Sequence, residues 1–293
     1  MPAKSARFPA RLWRALGPGL ITGAADDDPS GIATYSQAGA QFGYALTWTM
    51  LLTLPFMAAI QIISACIGWH TRRGLAHNIA RQMPASLLYF LVALLLVANT
   101  INIAADLAAM GHALQLVVGG RAVAYAIAFG VVCLTAEVLI PYHRYAAYLK
   151  FMTLVLLFYV ATAFTVHVPW REVAAATFVP TVSLDRDLLL TIVAVFGTTI
   201  SPYLFFWQAS QEAEDSRLSY RHRYDGGTKR VESYFRRICA DTWVGMVFSN
   251  LVAFFIIVTT AATLHATGVT RIDTAAQAAE ALRPVAGEFT FAL

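Results

Sequence analysis

Six consecutive residues, Asp26-Asp27-Asp28-Pro29-Ser30-Gly31, place three carboxylates inside the first apolar stretch of the chain. An acid at the centre of a membrane helix costs on the order of 3 kcal/mol by insertion scales. Something must offset that cost, and a cation is the simplest partner. Consecutive residues of a helix cannot all face one point, so one principal ligand is expected. Asp28 stands directly before Pro29, where a helix must open, and is the expected ligand. Asp26 and Asp27 are expected to face a wet vestibule or to attract ions. A second interruption, Gly197-Thr198-Thr199-Ile200-Ser201-Pro202 followed by Tyr203, offers hydroxyls and freed carbonyls with neither sulfur nor histidine. Such oxygen donors suit Mg²⁺, Ca²⁺ or Mn²⁺, whereas thiolate and imidazole favour softer metals.

Three more polar residues interrupt apolar segments. Asp106 is a lone carboxylate in Ile103-Ala104-Ala105-Asp106-Leu107-Ala108. It reads as a proton carrier, a charge partner or a structural hydrogen-bonded acid. Glu137, beside Pro141, reads as an interfacial anchor. Asn250 either holds the first broken helix or joins two helices as polar glue.

The elements that must position these groups follow from composition. Of the 293 residues, 58% are hydrophobic and 13% charged, about half the charge of a soluble domain; mean hydropathy is +0.60. Lipid is the natural solvent for such a chain. The three cysteines, Cys66, Cys133 and Cys239, show neither disulfide nor zinc spacing and read as small core hydrophobes. Unbroken apolar segments at about 43–69, 87–116, 122–140, 146–168 and 238–264 are each long enough to span a bilayer. Two others reach that length only across a break: about Leu12–Ala25 continued by Ile32–Phe42, and about Leu188–Phe196 continued by Tyr203–Ser210. Seven crossings result. With the amino terminus in the cytoplasm, sixteen of the 21 Lys and Arg fall on the inside and five outside, as the positive-inside rule requires. The net charge of +4 therefore needs no nucleic acid.

Two other readings fail against this count. Lys4, Arg7, Arg11 and Arg14 ahead of Gly23-Ala24-Ala25 imitate a cleaved secretory signal, but Gly17-Pro18-Gly19 interrupts its apolar core. Placing the acidic run in an external loop destroys the charge asymmetry. Residues 211–237 form the one sizeable polar stretch and read as a cytoplasmic loop, while Phe289–Leu293 looks like the opening of a further apolar segment. Paired Gly/Pro-broken helices in corresponding positions of two halves mark a midplane binding site in transporters. Crossings one and six fit that pattern, with freed carbonyls near Ala25 and Thr198 and the positive ends of both resumed half-helices facing the gap.

The residues also resemble a known family. Gly17-Pro18-Gly19, Asp28-Pro29-Ser30-Gly31-Ile32-Ala33-Thr34, Gln37-Ala38-Gly39-Ala40-Gln41-Phe42-Gly43-Tyr44 and Leu46-Thr47-Trp48 are similar to the opening of Nramp divalent-metal transporters. Ala105-Asp106-Leu107-Ala108 and Gly197–Pro202 extend the likeness. It implies an all-α integral membrane protein of LeuT type, two inverted five-helix repeats with discontinuous helices 1 and 6, stopping at the start of helix 8. It further implies metal held by Asp28 with the Ala25 and Thr198 carbonyls, and Asp106 linked to proton movement.

The departures are as informative. The motif's asparagine ligand is Gly31 here, the methionine of helix six is Ser201, the histidine after it is Tyr203, and the glutamate after Asp106 is Ala109. A branch without that methionine is associated with Mg²⁺, and Mg²⁺ tolerates a water-filled site because it dehydrates reluctantly.

The expected function is transport of a divalent cation, Mg²⁺ or Mn²⁺ first, by alternating access, with no enzymatic activity and no bound cofactor. Asp28, Ala25, Thr198 and Ser201 are the expected ligands, with Asp27, Gly31, Tyr203 and Asn250 adjacent. Protons and the lipid bilayer are the other expected partners, and the cell membrane the location. The alternative is a sodium-coupled amino-acid or organic-solute symporter of the same fold, which needs a roomier, uncharged site. An intramembrane aspartyl hydrolase would have to bring Asp28 and Asp106 together outside any recognised motif.

Overall fold

Proline and glycine set the boundaries of the helices. The computed structural model describes residues 18–140, 153–180, 185–222 and 228–272. Its helices are α1 (Pro18–Asp26), α2 (Pro29–Phe42), α3 (Thr47–Thr71), α4 (Leu75–Gln82), α5 (Ala85–Val118), α6 (Ala122–Leu139), α7 (Leu157–Thr165), α8 (Trp170–Phe178), α9 (Arg186–Thr199), α10 (Pro202–His222) and α11 (Thr228–Thr263). No strand occurs among the described residues. The first break has a local cause: Pro29 cannot donate a helical hydrogen bond, and the residue before a proline is pushed out of the α region. Asp28 accordingly sits at φ −70, ψ 168 and caps α2. Pro202 opens α10 in the same way after the turn at Ile200 and Ser201.

Five helical stretches among the described residues are long and apolar enough to cross a membrane: Pro29–Thr71, Ala85–Val118, Ala122–Leu139, Arg186–Arg217 and Glu232–Thr267. The first contains α2 and α3, joined by a 3₁₀ turn at Gly43–Leu46 in which Gly43 takes φ +58. Of the span expected at 146–168, residues 153–165 are described and are helical. Leu12–Gly17 and Phe289–Leu293 lie outside the described residues.

The stretch 211–237, expected as a loop, is instead the meeting of two helix ends. Residues 211–222 continue α10 and 228–237 begin α11, while 223–227 lie outside the described residues. Its Glu, Arg and Ala content favours helix, and Glu232 pairs with Arg236 one turn on at 2.7 Å, a spacing that supports exposed helices.

The core forms around α11. Tyr35 of α2, Met50 of α3, Tyr159 of α7, Leu188 and Val195 of α9 and Val252, Ile256 and Ile257 of α11 are buried in one cluster. Small residues let the backbones close in. A Cβ on Gly23 would run into the backbone of Gly245, one on Gly39 into Thr260 and Ile257, and one on Gly68 into the Ala209 carbonyl. This is how membrane helices gain packing where lipid is as apolar as leucine. The α5–α6 hairpin is different: no residue of α6 is buried, and on α5 only Gly111 is. Leu and Val cover much of both helices.

Gly23→Leu should separate α1 from α11, because its Cβ meets backbone that cannot yield. Overpacking of this kind costs about 1–3 kcal/mol. The melting temperature of the purified variant should fall by several degrees, and an unchanged melt would show that the contact is not tight.

Candidate metal centre

Both helix breaks converge on the carboxylate of Asp28. Its Oδ1 accepts the Gly31 N–H at 2.7 Å, and the Ser30 hydroxyl, also 2.7 Å away, gives its one proton either to this oxygen or to Asn102 Oδ1. Its Oδ2 accepts Asn102 Nδ2 at 2.9 Å and the Tyr203 hydroxyl at 2.8 Å. An ionised carboxylate offers about four acceptor positions; three are filled by Gly31, Asn102 and Tyr203, and the fourth depends on where Ser30 turns its proton. Four elements meet at this one group: the break before α2, α2 itself, α5 and α10.

Gly31 marks the space beside it. A Cβ built there would lie 2.9 Å from the Asp26 carbonyl oxygen, 3.4 Å from Asp28 Oδ1 and 3.5 Å from Thr198 Oγ1. Oxygen atoms from both breaks therefore surround the position where the motif carries an asparagine. This is the donor chemistry a hard cation selects.

The expected residues divide into those the structure gathers and those it turns elsewhere. Asp28, Gly31, Tyr203 and the Thr198 side chain come together. Ser201 folds back instead, its hydroxyl 2.5 Å from the Thr198 carbonyl and 3.3 Å from that of Gly197. The Thr198 carbonyl is thus occupied by a hydroxyl of its own turn. Ala25 is exposed near the end of α1, and the carbonyl that reaches the Gly31 position is that of Asp26. Asp106 accepts the Ser30 N–H at 3.1 Å, which places a negative charge on the positive end of α2.

Asp26 and Asp27 do not face a wet vestibule. They are 1% and 4% exposed, because α1 lies flat on α11. Three contacts one turn apart fix it there: Gly19 N–H to Asp241 Oδ2 at 2.8 Å, Gly23 against Gly245, and Ser249 Oγ donating to Asp26 Oδ2 at 2.7 Å. Asn250, one candidate for holding this broken helix, points away from it. Its amide reaches Thr53 Oγ1 at 3.1 Å and Met57 Sδ at 3.8 Å on α3, and its neighbour Ser249 does the holding. Successive residues diverge by about 100° on a helix, which is why one serves α1 and the other α3.

Asp26 Oδ1 and both carboxylate oxygens of Asp27 are buried without a hydrogen-bond partner among the described residues. Buried carboxylate oxygens without donors are rare and favour a positive ion nearby. Among the described residues no three His, Cys, Asp or Glu side chains cluster closely enough to hold a metal, so the three acids do not form one cage.

Asn102 is the site residue that sequence reasoning missed. It donates to Asp28 and accepts the Ser30 hydroxyl at 2.7 Å through Oδ1. A signal existed: Asn102 and Asp106 are four residues apart and share a helix face. An asparagine costs far less in an apolar helix than an acid does and attracts less notice.

Residues 19–293 match the model of the family described as natural resistance-associated macrophage protein-like, Nramp. A divalent metal cation transporter MntH of Yersinia enterocolitica is 29% identical over 280 residues, covering 93% of this chain and 64% of the relative. A second MntH, from Verminephrobacter eiseniae, is 30% identical over 210 residues, covering 68% and 46%. The chain thus spans less than two thirds of the length of these relatives. Among solved structures, the manganese transporter of Eremococcus coleocola superposes with a TM-score of 0.70 over 99% of this chain and 66% of that one, at 16% identity, which establishes the fold.

Restoring the motif by Gly31→Asn should fail. The new Cβ would press on the Asp26 backbone carbonyl at 2.9 Å, a clash worth about 1–3 kcal/mol. The expected result is a lower melting temperature and no gain in Mn²⁺ affinity by calorimetry; tighter binding would show that the α1–α2 break yields.

Proposed function

The chain belongs to the Nramp family, and on that premise we propose that it carries a divalent metal cation across the membrane by alternating access. The family consists of transporters rather than enzymes. The MntH relatives are named divalent metal cation transporters, and the solved neighbour is a manganese transporter. The observation that carries the reading is Asp28: a carboxylate at the junction of two broken helices, reached by side chains from three helices.

Ion binding follows from charge. A divalent cation outcompetes neutral hydrogen-bond donors for a carboxylate in a low-dielectric site, so Asp28 is the central ligand. The carbonyls of Ala25 and Thr198 and the Ser201 hydroxyl complete the proposed set, once the Ser201 hydroxyl releases the Thr198 carbonyl. All are hard oxygen donors, which puts Mg²⁺ and Mn²⁺ first. Asp106, joined to the site through Ser30, is the proposed charge relay, and proton coupling would run through it. The sixteen-to-five distribution of basic residues supports a multi-pass protein of the cell membrane with a cytoplasmic amino terminus. The sodium-coupled solute carrier is not favoured: it needs an uncharged site, and the carboxylate of Asp28 stands at the junction of the two breaks.

Metal uptake by the full-length protein in proteoliposomes tests the proposal. Asp28→Ala should cut Mn²⁺ or Mg²⁺ flux by more than about tenfold, as loss of a buried ionic partner does. Unchanged flux would overturn it. Competition among Mg²⁺, Mn²⁺ and Ca²⁺, with lumenal pH followed in the same vesicles, ranks the ions and reads out coupling.

A further inference from the structure

We propose that Asn102 is itself a ligand of the transported ion, trading the hydrogen bond it gives Asp28 for a bond from its own carbonyl oxygen to the metal. The inference rests on Asp28 as the ion-binding carboxylate and adds a residue from α5 that the family motif does not contain.

The geometry leads there in steps. An ion approaching Asp28 Oδ2 arrives where Asn102 Nδ2, 2.9 Å away, and the Tyr203 hydroxyl, 2.8 Å away, now donate. An N–H turned towards a cation is repelled, while an amide oxygen is attracted. The terminal torsion of asparagine is broad and nearly two-fold, so a half-turn exchanges Nδ2 and Oδ1 with the rest of the side chain in place. That half-turn brings Oδ1 to the ion and Nδ2 to the Ser30 hydroxyl, which now donates to Oδ1 at 2.7 Å.

Neither end of the Asn102 amide is stranded by the exchange. A serine hydroxyl both donates and accepts. Ser30 can take the new N–H and give its own proton to Asp28 Oδ1, already 2.7 Å away. The two ends of the Asn102 amide then serve two states of the site, the N–H end when no ion is bound and the carbonyl end when one is. In the loaded state the amide oxygen missing at Gly31 is supplied from a different helix. Asp106, one turn further along α5, keeps its bond to the Ser30 N–H at 3.1 Å, so α5 stays registered on α2 while the amide turns.

A ligand and a mere hydrogen-bond donor respond differently to substitution, and Mn²⁺ calorimetry on the purified full-length protein separates them. Asn102→Leu should weaken Mn²⁺ binding by more than about tenfold, since loss of a ligand costs at least as much as loss of an outer-shell partner. Asn102→Asp keeps an oxygen but loses the N–H. A ligand role predicts that Asn102→Asp keeps or tightens the affinity while Asn102→Leu loses it, whereas a donor-only role, in which the N–H merely competes with the ion for Asp28 Oδ2, predicts no loss in either variant. A second readout uses Asn102→Cys with Cys66, Cys133 and Cys239 replaced by serine. Bound Cd²⁺ should then show a thiolate-to-cadmium charge-transfer band that disappears when Asp28→Ala is added. Unchanged Mn²⁺ affinity in Asn102→Leu, or a cysteine variant that binds Cd²⁺ without the band, overturns the proposal and leaves Asp28 standing. If the unaltered protein binds none of these metals, the transport reading falls and this inference with it.

Discussion

Backbone inside hydrocarbon must satisfy its own hydrogen bonds, and most of what is unusual in this protein follows from breaking that rule twice. Pro29 and Pro202 each end one helix and begin another, leaving N–H and C=O groups at membrane depth. At the first break the solution is Asp28. Its carboxylate caps α2 through Gly31, and Asp106 takes the neighbouring Ser30 N–H. At the second break Ser201 and Thr199 bond back to carbonyls of their own helix. The two solutions are not equivalent. The first spends a charge on the backbone, and a charge can be claimed by something stronger than an N–H. The second uses neutral hydroxyls that can swing away at little cost.

A charged cap is useful only if the helix it interrupts is held still, and α11 supplies that support. The match of Gly19, Gly23 and Asp26 to Asp241, Gly245 and Ser249 sets α1 against a helix that is itself largely buried. The middle contact is backbone on backbone, so α1 has no room to roll. Tyr35 of α2 is fully buried and meets Thr199 at 3.0 Å, which ties the second half of the first broken helix to the end of α9. Each half-helix is thereby referred to a separate neighbour, and the break between them is where the two references can shift relative to each other. Alternating access requires such a place.

The parts legible in the sequence were those with local causes. Proline and glycine announced both breaks, and length and apolarity announced the long helices. The departures have tertiary causes. Whether residues 211–237 are loop or helix is not decided by polarity, since exposed helices are as polar as loops. Ser249 and Asn250 differ by one residue, and only the rotation of α11 decides which of them meets α1. Asp26 and Asp27 were expected to face a wet vestibule or to attract ions; the glycines of α1 bring α11 close enough to bury them, which removes the first of these. Asn102 entered the site because α5 crosses α2 at Ser30, a meeting that no spacing within either helix encodes.

That crossing bears on how an ion could be both selected and released. With Oδ2 of Asp28 engaged by Asn102 and Tyr203, a cation arriving at that oxygen, as proposed, would displace donors from α5 and α10 together. Loss of the Tyr203 bond frees the start of α10; loss of the Asn102 bond frees α5 from the carboxylate, though not from α2, because Asp106 still holds Ser30. Occupancy at one atom therefore changes the ties among three helices. A ligand shifts a conformational equilibrium only to the extent that it binds the two states unequally. Here the inequality is built into the site, since the contacts that stabilise the ion-free arrangement occupy the carboxylate oxygens the ion must use. A monovalent ion gains about half as much from the same carboxylate against the same hydrogen bonds, so with Asp28 as the proposed ligand the competition there would discriminate by charge before any pocket discriminates by size.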